Sequence, residues 1–130
     1  MTSSANPGNQ HRRRLGQWGE ELAATQLEAQ SYTIVERNWR CSIGEIDIIA
    51  RDGDVLVFAE VKTRQSRSFG TPEESITFRK RRRLIDLGVQ YCADHELDDV
   101  EWRIDIVAIE VDKDGMLLRC EHIPNAVMGW

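Results

Sequence analysis

The chain has 130 residues, 41% of them hydrophobic and 30% charged, with a formal net charge of −5 at pH 7. That length suits one domain with one core. No run approaches the roughly eighteen apolar residues of a membrane span, so no membrane partner is expected, and a net negative chain lacks the overall basic charge of a general nucleic-acid binder.

Cys41, Cys92 and Cys120 are widely spaced and form no CxxC pair. They read as small buried side chains in a reducing cytoplasm rather than a disulfide framework or a zinc site. The first fourteen residues, MTSSANPGNQHRRR, have no apolar stretch behind the basic ones, unlike a secretory signal, and read as a disordered basic arm.

From Leu15 to about Gln30, Leu15, Trp18, Leu22 and Ala29 fall on one helical stripe that Ala23 and Leu27 widen. At about 100° per residue, Glu20 lies at the flank of that arc beside Leu27, whereas Glu21 and Glu28 point away. Tyr32 to Arg40 alternates as a first strand, with Trp39 reading as a core aromatic in preference to a base-stacking platform.

Two runs rich in Ile, Val and Phe then flank Arg51-Asp52-Gly53-Asp54, a strong hairpin signal. With Asp52 and Gly53 as the central turn residues, Asp47 faces Phe58. Glu60 lies diagonal to Asp47 on the same face as Lys62, and Glu45 lies opposite Glu60. A diagonal pair is about 7–8 Å apart at the backbone, within reach of one shared ion. Like charges on a half-buried strand repel, and a hard cation such as Mg²⁺, which takes carboxylate oxygens and keeps waters, removes that cost. Lys62 could hold a phosphate oxygen, orient a water, or stabilise charge in a transition state. A Glu-x-Lys triplet is common on ordinary solvated strands. Asp47 in register, with Ile46, Ile48, Val55, Val57, Ala59 and Val61 on the opposite faces, sets this one apart.

Thr63 to Thr71 is a polar loop carrying Arg64 and Arg67, placed for substrate contacts. Thr71-Pro72-Glu73-Glu74 has a Thr cap, a first-position Pro and a Glu three after the cap, so a helix is expected from there to about His95. Its Ile76, Leu84, Leu87, Tyr91 and Cys92 would face the sheet. Between Lys62 and Arg83 stand eight basic residues against two acids, and from Asp94 to Asp114 nine acids against Arg103 and Lys113. One basic and one acidic face follow. Arg64, Arg67, Arg79, Lys80 and Arg83 are the expected phosphate contacts, with Thr77 and Lys80 nearest the scissile phosphate. Trp102 to Glu110 reads as a buried strand in which Asp105 is either a distant contributor to the site or, the favoured reading, a structural acid pairing with Arg103. Asp112 to Gly115 is a turn, and Met116 to Ile123 an edge strand.

Asp47 followed by Glu60-Val61-Lys62 resembles the PD-(D/E)XK signature of the restriction-endonuclease-like superfamily, with spacing similar to that of archaeal Holliday-junction resolvases. More closely, GQWGEELAATQLEAQSYTIVERNWR, GEIDIIARDG, VFAEVKTR, FGTPEESIT and RIDIVAIE, in order between Leu15 and Glu110, resemble the YraN-like family of predicted endonucleases. Ile46 stands where the superfamily motif has proline. The resemblance implies an α/β fold with an αβββαβ core, a mixed central sheet flanked by helices. It also implies a Mg²⁺- or Mn²⁺-dependent endonuclease that cuts DNA, including branched DNA of repair or recombination, and leaves a 5′-phosphate. Asp47 and Glu60 would hold the metal, Glu20 would complete the site, the Val61 carbonyl would add a ligand, and Lys62 would activate water. Junction resolvases act as dimers, which admits a homodimer, although no heptad or apolar patch marks an interface. The rival reading is a non-catalytic nucleic-acid binding module with this fold. The expected organisation is an arm over residues 1–14, one domain over 15–124 and a tail over 125–130, in the cytoplasm.

Overall fold

A computed structural model describes residues 7–65 and 70–127. The elements are α1 (Pro7–Ala29), β1 (Thr33–Cys41), β2 (Gly44–Asp52), β3 (Val55–Arg64), a short 3₁₀ turn (Glu73–Ser75), α2 (Phe78–Asp94), β4 (Trp102–Val111) and β5 (Leu117–Ile123). One five-stranded sheet runs in the order β1-β2-β3-β4-β5. Among the described residues its one parallel pair is β3 with β4, joined by α2 as the crossover that parallel strands require. This is the expected αβββαβ order with β5 added at the edge. Among the described residues no helix is long and apolar enough to cross a membrane.

The helices cover opposite faces of the sheet. Ala23, Ala24 and Leu27 of α1 pack on Ile48, Ala50, Ala59, Val107 and Ile109. On the other face, Leu84, Leu87, Tyr91 and Cys92 of α2 pack on Ile46, Ile49, Leu56, Phe58, Ile104 and Ile106. β4 is covered on both faces, so its apolar residues run continuously. Trp39 meets Tyr91 edge-on at 5.3 Å, a core aromatic as expected.

α1 differs from expectation at its start and in its buried stripe. It begins at Pro7, so residues 7–14 of the expected disordered arm form its first two turns, while residues 1–6 lie outside the described residues. Low hydrophobicity argued for disorder, but exposed Gln and Arg extend a helix well once a buried segment has nucleated it. Gly19, Ala23 and Leu27 are buried, whereas Trp18 and Ala29 are exposed. Close approach selects small residues here: a Cβ on Gly19 would sit 2.0 Å from Thr63 Oγ1 of β3.

The hairpin register is shifted by two residues. Ile48 pairs with Ala59 and Asp52 with Val55, so Gly53 and Asp54 occupy the turn. Gly53 has φ 61°, and glycine at the first central position favours a type II′ turn over the expected one centred on Asp52-Gly53. A two-residue shift preserves the side-chain faces. It places Asp47, one step beyond the last pair, level with Glu60 rather than diagonal to it.

The expected single helix from Thr71 to His95 is two pieces. Thr71 and Glu74 form a reciprocal capping box (Thr71 N to Glu74 Oε1, 2.7 Å; Glu74 N to Thr71 Oγ1, 3.3 Å), but it opens only the 3₁₀ turn. Ile76 is extended and buried, and Thr77 starts α2 by accepting from Lys80 N at 3.1 Å. Anchoring Ile76 in the core outweighs continuity of the helix. In the expected tail, Ala126 N donates to Ile104 O at 2.8 Å and Val127 is buried, so that segment is packed as far as residue 127.

Candidate active site

β2 and β3 stop pairing beyond Ile48 and Ala59, and the site lies in the fork between them. Asp47 occupies the fork. Its Oδ2 accepts the Val61 N–H at 2.8 Å, replacing the ladder bond that a continued hairpin would supply. Ile46 belongs to the α2-side core and Ile48 to the α1-side core, so side-chain alternation breaks at Asp47. Across from it on β1, Asn38 takes φ 54°. Where both strands turn over, a carboxylate can face β3 in place of either core.

Glu60 points to the α2 side, is 7% exposed, and meets Lys80 Nζ at 3.4 Å. Burial, and next the charge of Asp47, push its carboxyl up to about 7, against the pull of Lys80 and Lys62. Burial likewise raises Asp47, with Glu45 adding to it and the Val61 N–H, Lys80 and a hydrogen bond with Glu60 opposing. Glu20 reaches the same corner from α1. Burial and then the charges of Asp47 and Glu45 raise it to about 6. With its amide nitrogen turned toward them, Asn38 donates to Glu45 Oε2 at 2.8 Å and to Glu20 Oε1 at 3.0 Å.

Asp47 thus acts electrostatically on both Glu20 and Glu60, which are distant from it in sequence. Among the described residues no three carboxylate, imidazole or thiolate donors stand close enough to grip an ion as they are. Glu60 is turned to Lys80, and Glu20 to Asn38. Even so, the donors are all hard oxygens, and raised carboxyl pKa values signal a surplus of negative charge that a divalent cation would remove. The donor set fits Mg²⁺ or Mn²⁺.

Lys62 lines a cavity of about 510 Å³ with Glu20, Val61, Arg64, His11 and Arg12. Of the other expected contacts, Arg79 and Arg83 lie with Arg82 around a shallow cavity beside Ile43. Thr77 is the cap of α2, Lys80 sits on Glu60, and Arg67 lies outside the described residues. Arg81 instead donates to Ile76 O and Ala126 O. Glu45 is not opposite Glu60 but on β2 beside Arg40, whose Nε is 3.5 Å away.

Asp105 is fully buried elsewhere in the sheet. Burial raises its pKa, but bonds from His122, Arg103 and the Asn125 N–H outweigh burial and hold the carboxyl low. Its role is structural, tying β4 to β5 and the tail.

The residues that the sequence reading left out are Arg12, Arg13, Arg37, Asn38 and Arg40, which surround Glu20. Carrying the helical period backward from Glu20 finds Arg13 seven residues earlier on the same face, a signal hidden by treating the arm as unstructured.

The model of "Uncharacterised protein family UPF0102" matches residues 19–109. Similar proteins include a "UPF0102 protein" of Roseiflexus castenholzii, 51% identical over 118 residues, covering 89% of this chain and 94% of that one. One from Arthrobacter sp. strain FB24 is 53% identical over 109 residues (84% and 92% covered). One from Moorella thermoacetica is 46% identical over 115 residues (88% and 96%). The match spans all four residues Glu20, Asp47, Glu60 and Lys62.

Proposed function

The chain belongs to the uncharacterised protein family UPF0102, and we propose that it is a divalent-metal-dependent endonuclease hydrolysing DNA phosphodiester bonds at the fork between β2 and β3. One observation carries the reading. Asp47 and Glu60 are level on diverging strands, both raised in pKa, with Glu20 brought to them from a different element. Burying acids side by side is costly, and perturbed acids clustered in a cleft suit catalysis.

In this reading Asp47, Glu60 and Glu20 hold Mg²⁺ or Mn²⁺, with the Val61 carbonyl as a further oxygen. When bound, the ion supplies charge neutralisation at the phosphate and a bound water of lowered pKa. Lys62, in the cavity beside Glu20, orients the attacking water and meets a phosphate oxygen. Lys80 holds the Glu60 carboxylate until that charge is otherwise neutralised. Arg64, Arg79 and Arg83 grip the flanking backbone, and Arg67 follows in the same loop as Arg64. The Val61 N–H fixes Asp47, so one end of the site is set by the backbone itself.

The test is a panel of labelled linear, flapped and four-way DNA incubated with Mn²⁺. Wild type cleaves at least one of them to a 5′-phosphate product, and Asp47→Ala and Glu60→Ala abolish cleavage while remaining folded. Cleavage retained by both purified variants would overturn the assignment. One observation favours a second reading, a binding module without chemistry: Lys80 already satisfies Glu60, and the Val61 N–H satisfies Asp47. DNA binding by wild type with no cleavage of any panel member supports that reading.

A further inference from the structure

α1 sends small residues and Leu27 into the core but leaves Trp18 40% exposed. Its indole borders a cavity of about 690 Å³, into which Arg14 of the preceding turn, Arg37 of β1 and Asn38 also face. Arg37 pairs with Glu21, 2.7 Å away. Asn38 reaches from the same cavity to Glu20 at 3.0 Å, so the cavity opens directly beside the carboxylate corner. Its volume is in the range that holds a single small ligand. An exposed indole and a guanidinium plane are the two kinds of surface on which unpaired bases stack. Glu20 and Glu21 in the wall offset the two arginines, so the cavity is poorly suited to phosphate alone and better suited to the flat, weakly polar face of a base. A continuous duplex keeps those faces covered by neighbouring base pairs.

We infer that the cavity between Trp18 and Arg37 is a subsite for an unpaired nucleobase adjoining the scissile phosphate, which makes DNA with an unstacked nucleotide at the cleavage point the preferred substrate class. The inference rests on the endonuclease reading for what happens next to the subsite, but binding alone can test it.

The experiment measures fluorescence anisotropy of labelled single-stranded, flapped and continuous duplex DNA with the full chain in EDTA, where metal-dependent cleavage is silent. Trp18→Ala weakens single-stranded and flapped DNA binding about tenfold, leaves duplex binding within about twofold, and Trp18→Phe retains most of the affinity. In a second measurement that needs no variant, 2-aminopurine at the unpaired position loses fluorescence on binding wild type, as a stacked base does. Equal loss on all three DNAs, no loss on any, 2-aminopurine that stays bright, or a change only in self-association by sedimentation would each overturn the inference. A Trp18-dependent preference without cleavage in Mn²⁺ leaves this subsite standing and removes the nuclease. Cleavage indifferent to Trp18 does the reverse.

Discussion

Replacing Glu60 by Gln should stabilise the metal-free protein at alkaline pH, the opposite of what deleting a buried ion-pair partner usually does. Glu60 is held at about 7 instead of 4.5, chiefly by burial and then by Asp47. An acid raised in the folded state contributes stability while protonated. That contribution is full below pH 4.5 and is lost as pH rises through about 7. At about 1.4 kcal/mol per pH unit the loss amounts to about 3 kcal/mol. Gln keeps the shape without the charge, so the variant avoids it. The pull of Lys80 is already contained in the value of about 7, and Lys80, itself 37% exposed, can turn to water. The expected net gain is therefore about 3 kcal/mol at pH 8.5 and near zero at pH 4.5. Urea unfolding in EDTA at both pH values measures it. Equal midpoints for the two proteins at pH 8.5, or a less stable variant there, would falsify the claim that uncompensated charge at Glu60 strains the metal-free fold.

Gly19→Ala should push α1 off β3, since the new Cβ lies 2.0 Å from Thr63 Oγ1, at a cost of about 1–3 kcal/mol and with weakened Mn²⁺ binding because Glu20 moves too. Adding Thr63→Ala removes the clashing oxygen, and urea midpoints and metal affinity should both recover in large part. Asp105→Asn leaves Arg103 without its buried counter-charge and should cost about 3–5 kcal/mol in urea unfolding. Because the Asp105 carboxyl is held below its ordinary 3.8, its contribution is present above that pH and is lost as pH falls further. Wild type should therefore lose stability in acid more steeply than the variant, and parallel acid limbs would contradict the assignment.

The elements were legible because their signals are local. The Ile- and Val-rich hairpin, the apolar run of β4 and the helical periods each identify an element without its neighbours. The side-chain faces of the paired stretch from Ile48 to Ala59 survived an error in the turn because the shift was by two residues, whereas the break in alternation at Asp47 was not legible. What escaped depends on contacts. Gly19 and Ala23 outrank Trp18 in the core because α1 must approach Thr63 closely, which a hydrophobicity stripe does not measure. The capping box at Thr71 is formed as read, yet Ile76 ends its helix by entering the core. At the candidate site the three acids and Lys62 were visible as motif residues. Asn38 was not, because an isolated Asn carries no signal until the β1 backbone adopts φ 54° and aims its amide between Glu20 and Glu45.

The most direct test of the acid corner as a metal centre is calorimetric titration of Mn²⁺ into wild type at pH 6 and pH 8.5, each in two buffers of different ionisation enthalpy. Binding an ion must displace the proton that Glu60 carries below about 7. The account predicts saturable binding that releases more than one proton at pH 6, from Glu60 and from Glu20 held at about 6, and far less at pH 8.5, abolished by Asp47→Ala. Binding with no proton release at either pH, or binding that survives Asp47→Ala, would contradict it.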